Sequence, residues 1–176
     1  MKGDAKFDKD KIHRYTLWRS WNDNLPKILF IGLNPSRADS EFNDPTIKKV
    51  CGFAKSWGYG GIFFGNLYSF RTPYVKGPIP LKELLEGWKP LLDNLNRATD
   101  HLTDFYLQSM IQTADKIICA WGSWRFTEAR VNEVMKMIER PYCFGTNQDG
   151  SPKHPLYLKS STLLSPFNPA TGHSGE

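Results

Sequence analysis

Lys27-Ile28-Leu29-Phe30-Ile31-Gly32-Leu33, stopped by Pro26 on one side and by Asn34-Pro35 on the other, decides the fold. An apolar run this short, without polar alternation, reads as a strand covered on both faces. Strands of that kind belong to parallel sheets with helices packed above and below. Upstream, Arg14 to Trp21 alternates as a strand does, and Asn22 to Pro26 turns the chain. Downstream, Asp44 is a good helix N-cap and Pro45 a good first helical residue, because its missing N–H is not needed there. Ile47, Val50, Cys51, Ala54 and Trp57 then recur at helical spacing up to Gly58.

The alternation of strand and helix continues. Gly61 to Tyr68 predicts a second buried strand, followed by a Pro/Gly-rich loop from Thr72 to Pro80. Helical material from Leu81 to Gln112 is interrupted near Pro90. Lys116 to Gly122 predicts a third buried strand, and Val131, Val134, Met135 and Ile138 mark a helix before a fourth strand at Tyr142 to Thr146. The expected fold is α/β, a three-layer α/β/α sandwich around a short, mostly parallel sheet. It occupies residues 12–164 as a single domain, between a charged, loosely ordered lead-in at 1–11 and a frayed tail at 165–176.

In such sheets ligands bind beyond the carboxyl ends of the strands. Four polar, turn-rich segments lie on that side: Gly32 to Ser36, Asn66 to Arg71, Trp121 to Arg125, and Asn147 to Tyr157. The fold therefore predicts that Asn34, Asn66 and His154 line one crevice, with Arg37, Arg71, Arg125, Lys153 and Lys159 around its rim. Each residue also has a plainer reading. Asn-Pro pairs start turns, buried amides bond to backbone, and lone histidines and loop cations are commonly solvated. Asp39 and Asp44 form a candidate acid pair, although capping alone accounts for Asp44. Phe53, Trp57 and Tyr59 read as core before they read as a stacking platform.

Composition bounds the function. With 40% hydrophobic and 23% charged residues, the 176-residue chain is an ordinary globular sequence, and its apolar runs are too short to span a bilayer. Met1 to Lys11 has no apolar stretch of the secretory type. Three cysteines without paired spacing read as reduced thiols in a cytoplasmic protein. With four scattered histidines, they predict no metal site. No phosphate loop, dinucleotide fingerprint or nucleophile elbow is present, and no cofactor is expected. A net charge of +5 permits a polyanionic partner, and an aromatic content of 14% permits stacking on planar groups.

The motifs together resemble a small bacterial and phage family of unknown function. The likeness lies in Arg14-Tyr15, Leu17, Arg19 and Trp21-Asn22, then Gly32-Leu33-Asn34-Pro35-Ser36, Asp44-Pro45-Thr46, Trp57 to Gly61, and His154-Pro155-Leu156-Tyr157-Leu158. More distantly, residues 27–158 resemble the uracil-DNA glycosylase superfamily. Gly32 to Ser36 is similar to its first motif, Asn66 with Arg71-Thr72-Pro73 to its middle segment, and His154 to Leu158 to its last motif.

That resemblance implies a monofunctional DNA base glycosylase that flips a base out of the stack for repair or modification. Asn34 would position the attacking water and His154 would stabilise the departing base. Gly32, Leu33, Pro35 and Ser36 would form the pocket, with Asn66 reading the pyrimidine edge and Phe42 or Phe53 stacking on it. Leu158 would fill the vacated stack and Lys159 would take a flanking phosphate, while the loop positions of Arg37, Arg71, Arg125 and Lys153 on the crevice side point to phosphate contacts as well. Ser36 stands where strict uracil enzymes carry a tyrosine, which implies a pyrimidine with a bulkier 5-substituent or a mismatched base. Asn34 carries no charge, which implies slow chemistry. The expected partner is DNA, as a duplex with a flipped base or a single strand, met by a monomer without metal or membrane. The alternative is a non-catalytic binder of modified bases, nucleotides or single-stranded nucleic acid.

Overall fold

The computed structural model describes residues 1–36, 38–71, 99–124 and 127–169. They form an α/β fold around one mixed sheet of seven strands. In chain order these are β1 (Lys2–Phe7), β2 (Arg14–Ser20), β3 (Lys27–Gly32), β4 (Gly61–Asn66), β5 (Lys116–Cys119), β6 (Pro141–Cys143) and β7 (Ser165–Pro166). Three α-helices accompany them among the described residues: α1 (Pro45–Ser56), α2 (Thr103–Thr113) and α3 (Glu128–Met135). None is long and apolar enough to cross a membrane.

The spatial order is β1-β2-β4-β3-β5-β6-β7. β4, β3, β5 and β6 run parallel, as the buried apolar runs predict. The outer strands reverse direction: β2 is antiparallel to β4, β1 to β2, and β7 to β6. Alternate side chains of β3 enter two separate cores. Leu29 and Ile31 meet Leu107 and Met110 of α2 and Val134 of α3, whereas Ile28 and Phe30 meet Ile47, Val50 and Ala54 of α1. Helix α1 begins as its sequence dictates. The Asp44 carboxylate accepts the Ile47 N–H at 2.9 Å, and Pro45 takes the first turn.

Two expectations are corrected at the ends. The lead-in is not loose: Lys2–Phe7 is an edge strand in register with β2 from Lys2 opposite Ser20 to Lys6 opposite Thr16. Its alternating exposure needs only one apolar face, supplied by Ala5 and Phe7, and its lysines blunt the edge. The tail contributes β7 and then Phe167, which is buried edge-on against Trp121 at 5.7 Å. Of the helical material predicted over 81–112, α2 is observed, while 81–98 lies outside the described residues.

β2 carries one further feature. Between Lys6 opposite Thr16 and Phe7 opposite Arg14 the register slips by one residue, so β2 holds an extra residue at this bulge. Strict alternation would place Arg14 and Arg19 on opposite faces; the bulge brings both toward the loop after β3. Arg14 donates to the Ala38 carbonyl at 2.7 Å. Arg19 donates to the Asn43 side chain at 2.7 Å and to the Asp39 carbonyl at 2.5 Å. Two buried arginines of one strand thus stitch down the segment that follows Asn34-Pro35-Ser36.

Candidate functional site

At the carboxyl ends of the parallel strands, on the α1 side, lies a cavity of about 140 Å³. Its floor follows from register. Gly32 ends β3 opposite Asn66, which ends β4, and the strands stay coupled beyond them through the Leu67 N–H to the Gly32 carbonyl at 2.9 Å. Gly32 lets the chain pass close here, since a Cβ would stand 3.0 Å from both Asn66 Oδ1 and the Phe64 ring and would press on both. Asn34 and Ser36 continue from β3 along the wall, and Trp121 and Trp124 follow β5. Asp44, Thr46 and Ile47 bring in the N-terminal turn of α1, while Arg14 enters from β2.

His154 closes the arrangement from a distant part of the sequence. It precedes a 3₁₀ turn at Pro155–Tyr157 that packs against α1. A Cβ built on Gly122, whose φ is +78°, would lie 3.5 Å from the His154 Cβ, so the base of this side chain lies beside the turn that follows β5. Its Nδ1 accepts the Leu156 N–H at 3.3 Å, which leaves the ring proton on Nε2. Burial lowers its pKa, with the Asp44 charge opposing. At neutral pH the ring is therefore an uncharged N–H donor.

The polar groups of the wall fall into two classes. Asp44 is fully engaged, one oxygen by the Ile47 N–H and the other by the Ser36 hydroxyl. Asn66 is 5% exposed, yet neither its Nδ2 nor its Oδ1 has a hydrogen-bond partner. Arg14 Nε is unpartnered too. Buried polar atoms without partners are uncommon and unfavourable, by about 1–3 kcal/mol each. Asn66 lines the cavity with both its amide nitrogen and its amide oxygen buried and unpartnered.

Seven of the candidate residues read from sequence line this cavity: Gly32, Leu33, Asn34, Ser36, Asp44, Asn66 and His154. The others do not. Pro35 is buried beside it. Phe53 is a core residue, 4.7 Å from Phe144 and 5.3 Å from Trp57 between ring centroids, because its place on α1 faces the sheet. Phe42 is 49% exposed and stands off the cavity. Leu158 does not project as a wedge but packs half-buried against the α1 core, whereas its neighbour Tyr157 is 90% exposed. Arg71 lies with its guanidinium 5.0 Å over the Phe7 ring. Lys153 and Lys159 are exposed on the segment that carries His154. Arg37 and Arg125 lie outside the described residues. Sequence reasoning missed Phe64, Trp121 and Trp124 as wall aromatics, Arg14 as a wall cation, and the second role of the cap Asp44.

Fold and site define an α/β protein with a ring-sized polar cavity at the carboxyl ends of its parallel strands. The chain belongs to the family described as "Protein of unknown function (DUF1643)", which matches residues 14–156 and so spans every residue of the cavity wall named above. No curated protein and no solved structure matches it.

Proposed function

We propose that this protein is a DNA base glycosylase that hydrolyses the N-glycosidic bond of a modified or mismatched, 5-substituted pyrimidine. The observation that carries the reading is the buried, wholly unpartnered Asn66 carboxamide in one cavity with Asn34 and His154. An amide offering a free donor beside a free acceptor matches the edge of a pyrimidine. The size agrees as well: about 140 Å³ is close to the roughly 150 Å³ that accommodates a benzene ring in an engineered cavity. Separate cores on the two sides of the sheet are consistent with a three-layer sandwich.

In this reading the base leaves the stack and enters the cavity. Asn66 holds its edge, and the wall aromatics Phe64, Trp121 and Trp124 take the stacking role first sought in Phe42 and Phe53. Asn34 holds a water against the anomeric carbon. As the glycosidic bond breaks, its electron pair departs with the base, and the neutral His154 Nε2–H donates to the developing anion. The water adds hydroxide to the sugar and its proton ends on the base. Ser36, small and turned toward Asp44, leaves room for a 5-substituent. Lys153 and Lys159 supply exposed cations for flanking phosphates.

Base release from duplexes and single strands carrying a panel of 5-substituted uracils and mismatches tests the proposal. Asn34→Ala should lower the single-turnover rate about 100-fold or more. Release undiminished in Asn34→Ala, or no release from any member, overturns it. A second reading, binding without cleavage, is favoured by the chemistry of Asn34 itself, since a carboxamide takes up no proton from water and Asp44 is already engaged. Salt-sensitive binding of the same oligonucleotides without release would establish that reading instead.

A further inference from the structure

The cavity also holds a buried cation that forms no ion pair among the described residues. Arg14 is 2% exposed and lies on the wall. Nη1 donates to the Ala38 carbonyl, Nε donates to nothing, and no salt bridge among the described residues includes it. Burial pushes its pKa down to about 10, with Asp44 opposing, so it remains a cation at neutral pH. The one acid on the described wall, Asp44, has its oxygens committed to the Ser36 hydroxyl and to the first turn of α1. That helix also directs the positive end of its dipole toward the same space. The Asp44 charge eases the burial of Arg14 without ion-pairing it, and a desolvated guanidinium whose Nε has no acceptor is unfavourable unless a ligand supplies one. Beside it stand the free donor and acceptor of Asn66.

We propose that the cavity selects a planar six-membered ring carrying negative charge, with Arg14 as its counter-charge and Asn66 reading its edge. The selectivity deepens the glycosylase reading, in which the departing base is such an anion, yet binding of this kind needs no cleavage. The charge has two sources, an ionised ring nitrogen or an acidic substituent, and both present a delocalised anion that a planar guanidinium matches.

Calorimetric titration of the full chain with three free rings separates them: uracil, neutral; 5-nitrouracil at mildly alkaline pH, charged on the ring; and 6-carboxyuracil, charged on a substituent. At least one anion should bind about tenfold more tightly than uracil, the scale of one charge-assisted hydrogen bond. A preference for 5-nitrouracil alone assigns the charge to the ring, and one for 6-carboxyuracil alone assigns it to the substituent. Arg14→Gln should erase the difference between charged and neutral rings. Asp44→Asn keeps an equally good N-cap while removing the opposing charge, and should widen it. If Arg14→Gln fails to fold, the wild-type ranking and Asp44→Asn still decide. Equal affinity for all three rings, a preference for uracil, or no binding overturns the inference. Base release without anion preference removes this inference and keeps the glycosylase; anion preference without base release does the reverse.

Discussion

Arg14 and Arg130 are buried to nearly the same degree, 2% and 7% exposed, on opposite sides of one sheet. Their surroundings differ. Arg130, on α3, donates Nε to the Leu67 carbonyl at 2.7 Å, Nη1 to Glu133 at 3.0 Å, and a further pair of bonds to Asp104. Burial opposes its charge, yet Asp104 and Glu133 hold its pKa above the ordinary value. Arg14 bonds one carbonyl, and burial wins. The contrast falls within two residues of one chain segment. Asn66 opens its unpartnered amide on the α1 side, while the carbonyl of Leu67 is closed by Arg130 on the other. On the α1 side Arg19 and Asp44 are satisfied as Arg130 is, and among the described buried side chains only the Asn66 amide and Arg14 Nε are left without partners.

The largest effect expected from this contrast is on stability. Arg130→Met strips a charged donor from a buried carbonyl and should lower unfolding free energy by about 2–3 kcal/mol. Arg14→Met removes a buried charge that makes no ion pair among the described residues. The relief of its desolvation should offset the lost bond to Ala38, leaving stability within about 1 kcal/mol of wild type. Urea denaturation of the two variants compares them directly. Equal losses would erase the distinction between the two sides.

Asn66→Leu sharpens the same point with a smaller effect. An apolar side chain of similar shape replaces two unpartnered polar atoms, so the free protein should be unchanged or stabilised by up to about 1 kcal/mol. Ring binding should be lost. Thermal melting together with titration separates the two outcomes. A clearly destabilised variant would mean that the amide serves the fold rather than a ligand.

What the sequence discloses and what it hides follows the same division. Helix α1 was legible because its signals are local: a carboxylate cap, a proline in the first turn and a repeating apolar face. Asn34, Asn66 and His154 were legible as a group because parallel strands deliver their carboxyl ends to one place, however far apart they lie in the chain. Arg14 was not. A charged residue opening a strand reads as surface, and its burial depends on a one-residue slip between β1 and β2 that belongs to the pairing rather than to either strand. Phe53 is a core residue, as its helical period reads, and only the stacking role implied by the resemblance is set aside. Helical period puts it on the face of Trp57, but only packing against Phe144, far along the chain, separates core from pocket. Phe64 and Trp121 show the converse, since at a strand's end a core aromatic and a cavity aromatic have the same local sequence. The edge strand β1 was hidden by its charge, because one narrow apolar face suffices at a sheet edge.

The smallest expected effect concerns His154, the titrating group of the cavity side. Its folded pKa lies below the ordinary 6.5, because burial disfavours the imidazolium more than Asp44 favours it. The unfolded chain therefore binds this proton more tightly than the native protein does. The stability tied to neutral His154 is fully present above pH 6.5 and is lost as the pH falls through the lowered folded value. Protonation also takes away the Nδ1 lone pair that accepts the Leu156 N–H. Asp39 and Asp149, both held below 3.8 by hydrogen bonds, act in a separate, more acidic window. His154→Asn keeps an acceptor at this cap without a group that titrates there, and should flatten the decline of unfolding free energy just below pH 6.5 while leaving the more acidic limb in place. An unaltered decline in His154→Asn would place its origin elsewhere in the molecule and leave the imidazole with no part in it.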